Sequence, residues 1–96
     1  MDPVSRLCAT ERFLACCAEA GFPGQVLRSL PPIPSYPRGG VLVSFDPPIP
    51  AALGVRAREL AGLSFAHAHA VVEVVGEDDD PPRADWRWIE VTVLQP

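Results

Sequence analysis

His67-Ala68-His69 puts two imidazoles two residues apart, and on a β-strand that spacing sends both to one side, an arrangement metal sites use. A zinc centre takes three or four ligands, so Glu73 and Glu90 would have to complete it. Histidines beside carboxylates also titrate near neutrality, which would make the pair pH-responsive. Further along, Trp86 and Trp88 again share one side of a strand, and an exposed indole pair marks a contact surface because tryptophan is enriched where partners bind. The competing expectation is that both rings pack on Pro31, Pro32, Pro34 or Tyr36 and close a second small core. A thiol at Cys8, Cys16 or Cys17 would need a histidine and an orienting carboxylate to act as a nucleophile, and these cysteines are expected on the opposite side of the sheet from His67 and His69. Glu77-Asp78-Asp79-Asp80 lacks the alternating ligands and central glycine of a calcium loop. No phosphate-binding glycine loop, G-x-S-x-G elbow or H-E-x-x-H pair occurs. The expected protein is non-enzymatic and uses no cofactor.

The elements that position these residues read as follows. LSFAHAHAVVEVVG, residues 63 to 76, and DWRWIEVTVLQ, residues 85 to 95, are rich in β-branched and aromatic side chains around a charged Pro-Pro connection, predicting a long antiparallel hairpin with an acidic turn over 77–84. Pairing Gly76 with Asp85 would oppose Val74 to Arg87, Val72 to Ile89, Ala70 to Val91 and Ala68 to Val93, giving an apolar face. The other face would carry Phe65, His67, His69, Val71 and Glu73 beside Trp86, Trp88, Glu90, Thr92 and Leu94.

Asp2-Pro3 opens a helix, and Gly21 and Pro23 close it; Val4, Leu7, Cys8, Leu14, Ala15 and Ala18 are its expected buried stripe. QVLRSL, 25 to 30, is expected as a strand, and PPIPSYPRGG, 31 to 40, as a polyproline loop on the surface. VLVSF, 41 to 45, predicts another strand, which Asp46-Pro47-Pro48 should stop. A second helix is expected over roughly 50–62, with Ala52, Leu53, Val55, Ala57, Leu60 and Leu63 apolar and Gly54 its weak point. The order predicts one small α+β domain, 1–96, with an antiparallel sheet dominated by the C-terminal hairpin and two short helices on one face.

A net charge of −4 and a pI near 4.9, with eight scattered arginines and no lysine, argue against direct contact with nucleic acid or with a charged membrane surface. Three cysteines leave one unpaired in any internal scheme, which fits reduced thiols and a cytoplasmic location. The N-terminus has no signal-peptide pattern, and no apolar run is long enough to span a bilayer.

AVVEVVGEDDD, 70 to 80, followed by WIEVTVLQ, 88 to 95, resembles the closing hairpin of small OB-fold subunits in single-stranded DNA-binding complexes. The resemblance implies a five-stranded barrel and an assembly role; residues 24 to 62 depart from it, offering two strands and a helix where three strands belong. The expected function is a protein-interaction module, a small subunit or adaptor. Its binding residues would be Trp86, Trp88, Glu73, Glu90 and Tyr36, with a second copy of the chain as a further candidate partner. An OB-like subunit and a metal or catalytic protein using His67 and His69 are the alternatives.

Overall fold

The computed structural model describes residues 3–35, 37–76 and 85–95, so Tyr36 and the acidic turn over 77–84 lie outside the described residues. The chain is α+β: α1 (Pro3–Glu19), β1 (Gly24–Leu30), β2 (Gly40–Pro50), α2 (Ala51–His67), β3 (Val71–Gly76) and β4 (Asp85–Gln95). The four strands form one sheet in the order β1-β2-β4-β3, each neighbouring pair antiparallel. Strands β2 and β3 therefore run parallel with β4 between them, so β2-α2-β3 is a split β-α-β unit. This open four-stranded sheet is not the five-stranded barrel that the OB resemblance implies. No described helix is long and apolar enough to cross a membrane.

Both helices end in the same way. At the end of α1, Phe22 N–H donates to Cys17 O (3.0 Å) and Gly21 N–H to Ala18 O (3.1 Å), with Gly21 at φ 94°. At the end of α2, Ala70 N–H donates to Phe65 O (3.0 Å) and His69 N–H to Ala66 O (2.9 Å), with His69 at φ 62°. Each is a Schellman cap, whose left-handed position favours glycine. The first stop is the expected one. The second corrects the strand expected over 63–76: residues 63 to 67 are helical, 68 and 69 turn, and β3 begins at Val71.

The core lies between the sheet and one layer of helices. Val41, Val43, Phe45, Ile89, Val91 and Val93 face Ala9, Phe13 and Cys17 of α1 and Ala57, Leu60, Ala61 and Phe65 of α2, with Val72 and Val74 at its edge. Most of α1's expected stripe faces outward, since Val4, Leu7, Cys8, Ala15 and Ala18 are exposed. The helix is apolar on two sides, and burying the one that bears the Phe13 ring removes more apolar surface from water. Likewise Ala52, Val55 and Leu63 of α2 are exposed, and Gly54, Ala61, Ser64 and Phe65 are buried instead.

The C-terminal register differs from the expected one by four residues: Gly76 pairs with Ile89, Val74 with Val91 and Val72 with Val93. An even shift preserves the alternation, so Val72, Val74, Ile89, Val91 and Val93 share a face as expected. On its other edge β4 pairs with β2, where its first residues, Asp85, Trp86 and Trp88, meet Pro50, Ile49 and Ser44. Asp46-Pro47-Pro48 interrupts the β2 ladder without ending it, and the extra residues form a bulge between Ser44 and Ile49.

Candidate functional site: the uncovered sheet face

Alternation along the strands assigns the face away from the helices. Opposed residues share it in rows: Gln25, Ser44 and Trp88; then Arg28, Leu42, Glu90 and Val75; then Leu30, Gly40, Thr92 and Glu73. The helices pack on the other side, so this surface is a broad mixed floor of aliphatic, aromatic and charged groups. Trp88 and Glu90 are half-buried, and Glu73, Val71 and Val75 are exposed. Leu94, the extra residue between the Val71 and Val72 pairings, is exposed beside them.

The proline loop borders this floor. Its base is tied to β4, where Val93 N–H donates to Gly39 O at 2.9 Å and Arg38 Nη1 donates to Leu94 O at 3.4 Å. Arg6 Nη1 of α1 donates to Arg38 O at 3.4 Å and braces the same turn. Leu30, Pro31, Ile33 and Gly39 then meet Glu90 and Thr92 around a concavity of about 140 Å³. Thr92 is 4% exposed although it points away from the main core. Sequence reading set Thr92 on this face but missed Leu30, Ile33 and Leu42 as part of the surface. The available signal was Ile33, an aliphatic residue inside a run of prolines with no helix or strand to bury it.

Trp86 is not on this surface. It is 3% exposed and belongs to the core. The β2 bulge breaks the alternation between Trp86 and Trp88 and turns the Trp86 indole toward α2, where its ring fills the space over Gly54 and Gly76. The Arg58 guanidinium lies 5.1 Å from the centre of the ring, in cation–π contact. Gly54, the expected weak point of α2, is thus the seat of a buried indole. The ring packs on glycines of α2 and β3. Of the indole pair, Trp88 alone remains with the open face.

The histidines part company. His67 ends α2 and His69 occupies the cap, so they do not line one strand face. His67 instead lines a cleft of about 200 Å³ with Arg12, Cys16, Leu60, Leu63 and Ser64. The structure therefore brings a cysteine of α1 to the same cleft as His67, contrary to the expected separation, yet among the described residues no carboxylate lines that cleft to orient the imidazole. Among the described residues no group of three metal-ligating side chains gathers. Cys8 is exposed, Cys16 half-buried and Cys17 buried. Burial, with Cys16 beside it, pushes the Cys17 thiol up to about 12, which keeps it protonated and inert.

No protein-family model, no curated protein and no solved structure matches this chain.

Proposed function

We propose that the chain is a non-enzymatic protein-interaction module, a small subunit or adaptor, that docks its partner on the uncovered sheet face around Trp88, Leu42, Glu90 and Val75. The observation that carries this reading is the one-sided layering. The helices satisfy one face of the sheet, and the other holds a half-buried indole with exposed valines and charged side chains. Interfaces combine aromatic anchors with a polar surround in this manner, and Trp88 is the natural anchor. The acidic net charge, −4, favours a basic partner surface through long-range attraction.

The test is a tagged pull-down at mild salt, with nuclease treatment, comparing the native chain with Val75→Glu and Trp88→Ala on the open face and Val55→Glu on the exposed side of α2. The expected result is a stoichiometric, nuclease-insensitive protein that is lost with the first two variants and kept with the third, all three folded by circular dichroism. A partner lost only with Val55→Glu would move the interface to the helices, and recovery abolished by nuclease would replace the reading with nucleic-acid binding.

A further inference from the structure

The concavity beside the proline loop is the most selective part of the open face. Leu30, Pro31 and Ile33 give it aliphatic walls, most of its lining is apolar, and Glu90 and Thr92 are the two lining residues with polar side chains. Neither side chain makes a hydrogen bond or ion pair among the described residues. Thr92 is 4% exposed as a residue, and its hydroxyl, which has no protein partner among the described residues, stays open to water. A half-buried carboxylate without a counter-charge likewise holds acceptor capacity in reserve. Glu73, directly opposite Thr92, adds a second negative charge at the margin. Arg28 shares a row with Glu90, but Leu42 stands between them.

Size and chemistry then select the occupant. At about 140 Å³ the space is far below the roughly 300–1,000 Å³ of a typical small-molecule site, and it suits a single side chain. Aliphatic walls ending in a carboxylate and a hydroxyl complement a cation on an aliphatic stem: the methylenes lie along Pro31 and Ile33, and the ammonium donates to Glu90 and Thr92. An acidic side chain would be repelled by Glu90, and a purely apolar one would fill the walls but leave the Glu90 charge without a counter-charge.

We propose that this cavity is a binding site for one lysine-like cationic side chain, presented by a basic segment of the partner. That the cation belongs to a partner rests on the interaction reading above; the preference of the cavity itself does not, and it can be tested without any partner.

The experiment is a nuclear magnetic resonance titration of the full ¹⁵N-labelled chain with n-butylammonium, a lysine side chain without its backbone, against neutral n-butanol. Saturable shifts are expected at Leu30, Ile33, Gly39, Glu90 and Thr92, with n-butanol binding about tenfold more weakly. Glu90→Gln, which keeps the shape and removes the charge, is expected to weaken n-butylammonium by about tenfold, and Arg28→Gln to leave it unchanged or tighter. Shifts that do not saturate, equal binding of the neutral alcohol, or an unaffected Glu90→Gln variant would each overturn the proposal. If the cavity ignores n-butylammonium while Val75→Glu still abolishes partner capture, this inference fails and the interaction face stands. Selective n-butylammonium binding without any protein partner would reverse that outcome.

Discussion

Two glycines in one helix should respond in opposite directions to the same substitution. Replacing glycine by alanine in a helix interior gains about 1 kcal/mol, because the glycine backbone loses more freedom on folding. At Gly62 a Cβ meets nothing within 4 Å, so Gly62→Ala should show that gain nearly intact. At Gly54 the Cβ would fall within the Trp86 ring, which is 3% exposed and held from the other sides by Gly76 and the Arg58 guanidinium. Relieving the overlap means displacing a buried indole or bending α2 off the sheet, and overpacking of this kind costs about 1–3 kcal/mol. A rigid ring backed by glycine main chain has little room to give, so the upper end applies, and after the propensity gain Gly54→Ala should lose about 2 kcal/mol. The two variants should then differ by about 3 kcal/mol, a gap of 1 M or more in urea midpoint at about 1–3 kcal/mol per molar. Urea unfolding followed by far-ultraviolet circular dichroism measures both. Trp86→Leu supplies the control: with the ring removed, the Gly54→Ala penalty should shrink, giving a coupling energy of the size neighbours in contact show. A Gly54→Ala protein as stable as Gly62→Ala, or a penalty unchanged by Trp86→Leu, would mean that the ring does not sit on the helix and that its assignment to the core is wrong.

Other outcomes follow from the same packing. Trp86→Ala should cost about 3–5 kcal/mol in thermal or urea unfolding, whereas Trp88→Ala, half-buried on the open face, should cost well under half of that and leave the fold intact. His69→Gly should raise stability by up to about 1 kcal/mol by relieving the left-handed cap at φ 62°, and a loss would show that the imidazole makes a contact worth more than the strain. Toward a thiol reagent at neutral pH, Cys8 should react rapidly and Cys17 only on global unfolding. Because the folded Cys17 thiol is raised from 9.0 to about 12, the unfolded chain releases its proton first; this contribution to stability should be flat below pH 9 and fall as pH rises from 9 toward 12, which a Cys17→Ala comparison by unfolding at each pH isolates.

Several features were readable because they depend on neighbours in sequence. Pro3, Gly21 and Pro23 bracketed α1, QVLRSL and VLVSF marked strands, and period-two alternation sorted Val72 and Val74 with Ile89, Val91 and Val93 whatever their register. The error over 63 to 69 has a local cause too. LSFAHAHA alternates like a strand, yet Ala61, Ser64 and Phe65 also complete the helical face begun by Ala57 and Leu60, and packing on the sheet decided between them. The apolar side of α1 was decided in the same way, by which of its two sides could place Phe13 against Val43 and its neighbours.

The site divides along that line. Amino-acid order alone determined α1, the first two strands and the two-faced character of the C-terminal strands, since each rests on residues a few positions apart. Tertiary structure alone decided that β4 lies between β2 and β3, that a bulge at Asp46-Pro47-Pro48 sends Trp86 into the core while Trp88 stays outside, and that Ile33 meets Thr92 and Glu90. Those contacts join residues tens of positions apart, and whether they form depends on which arrangement buries the most apolar surface with its polar groups satisfied, a competition no local pattern records.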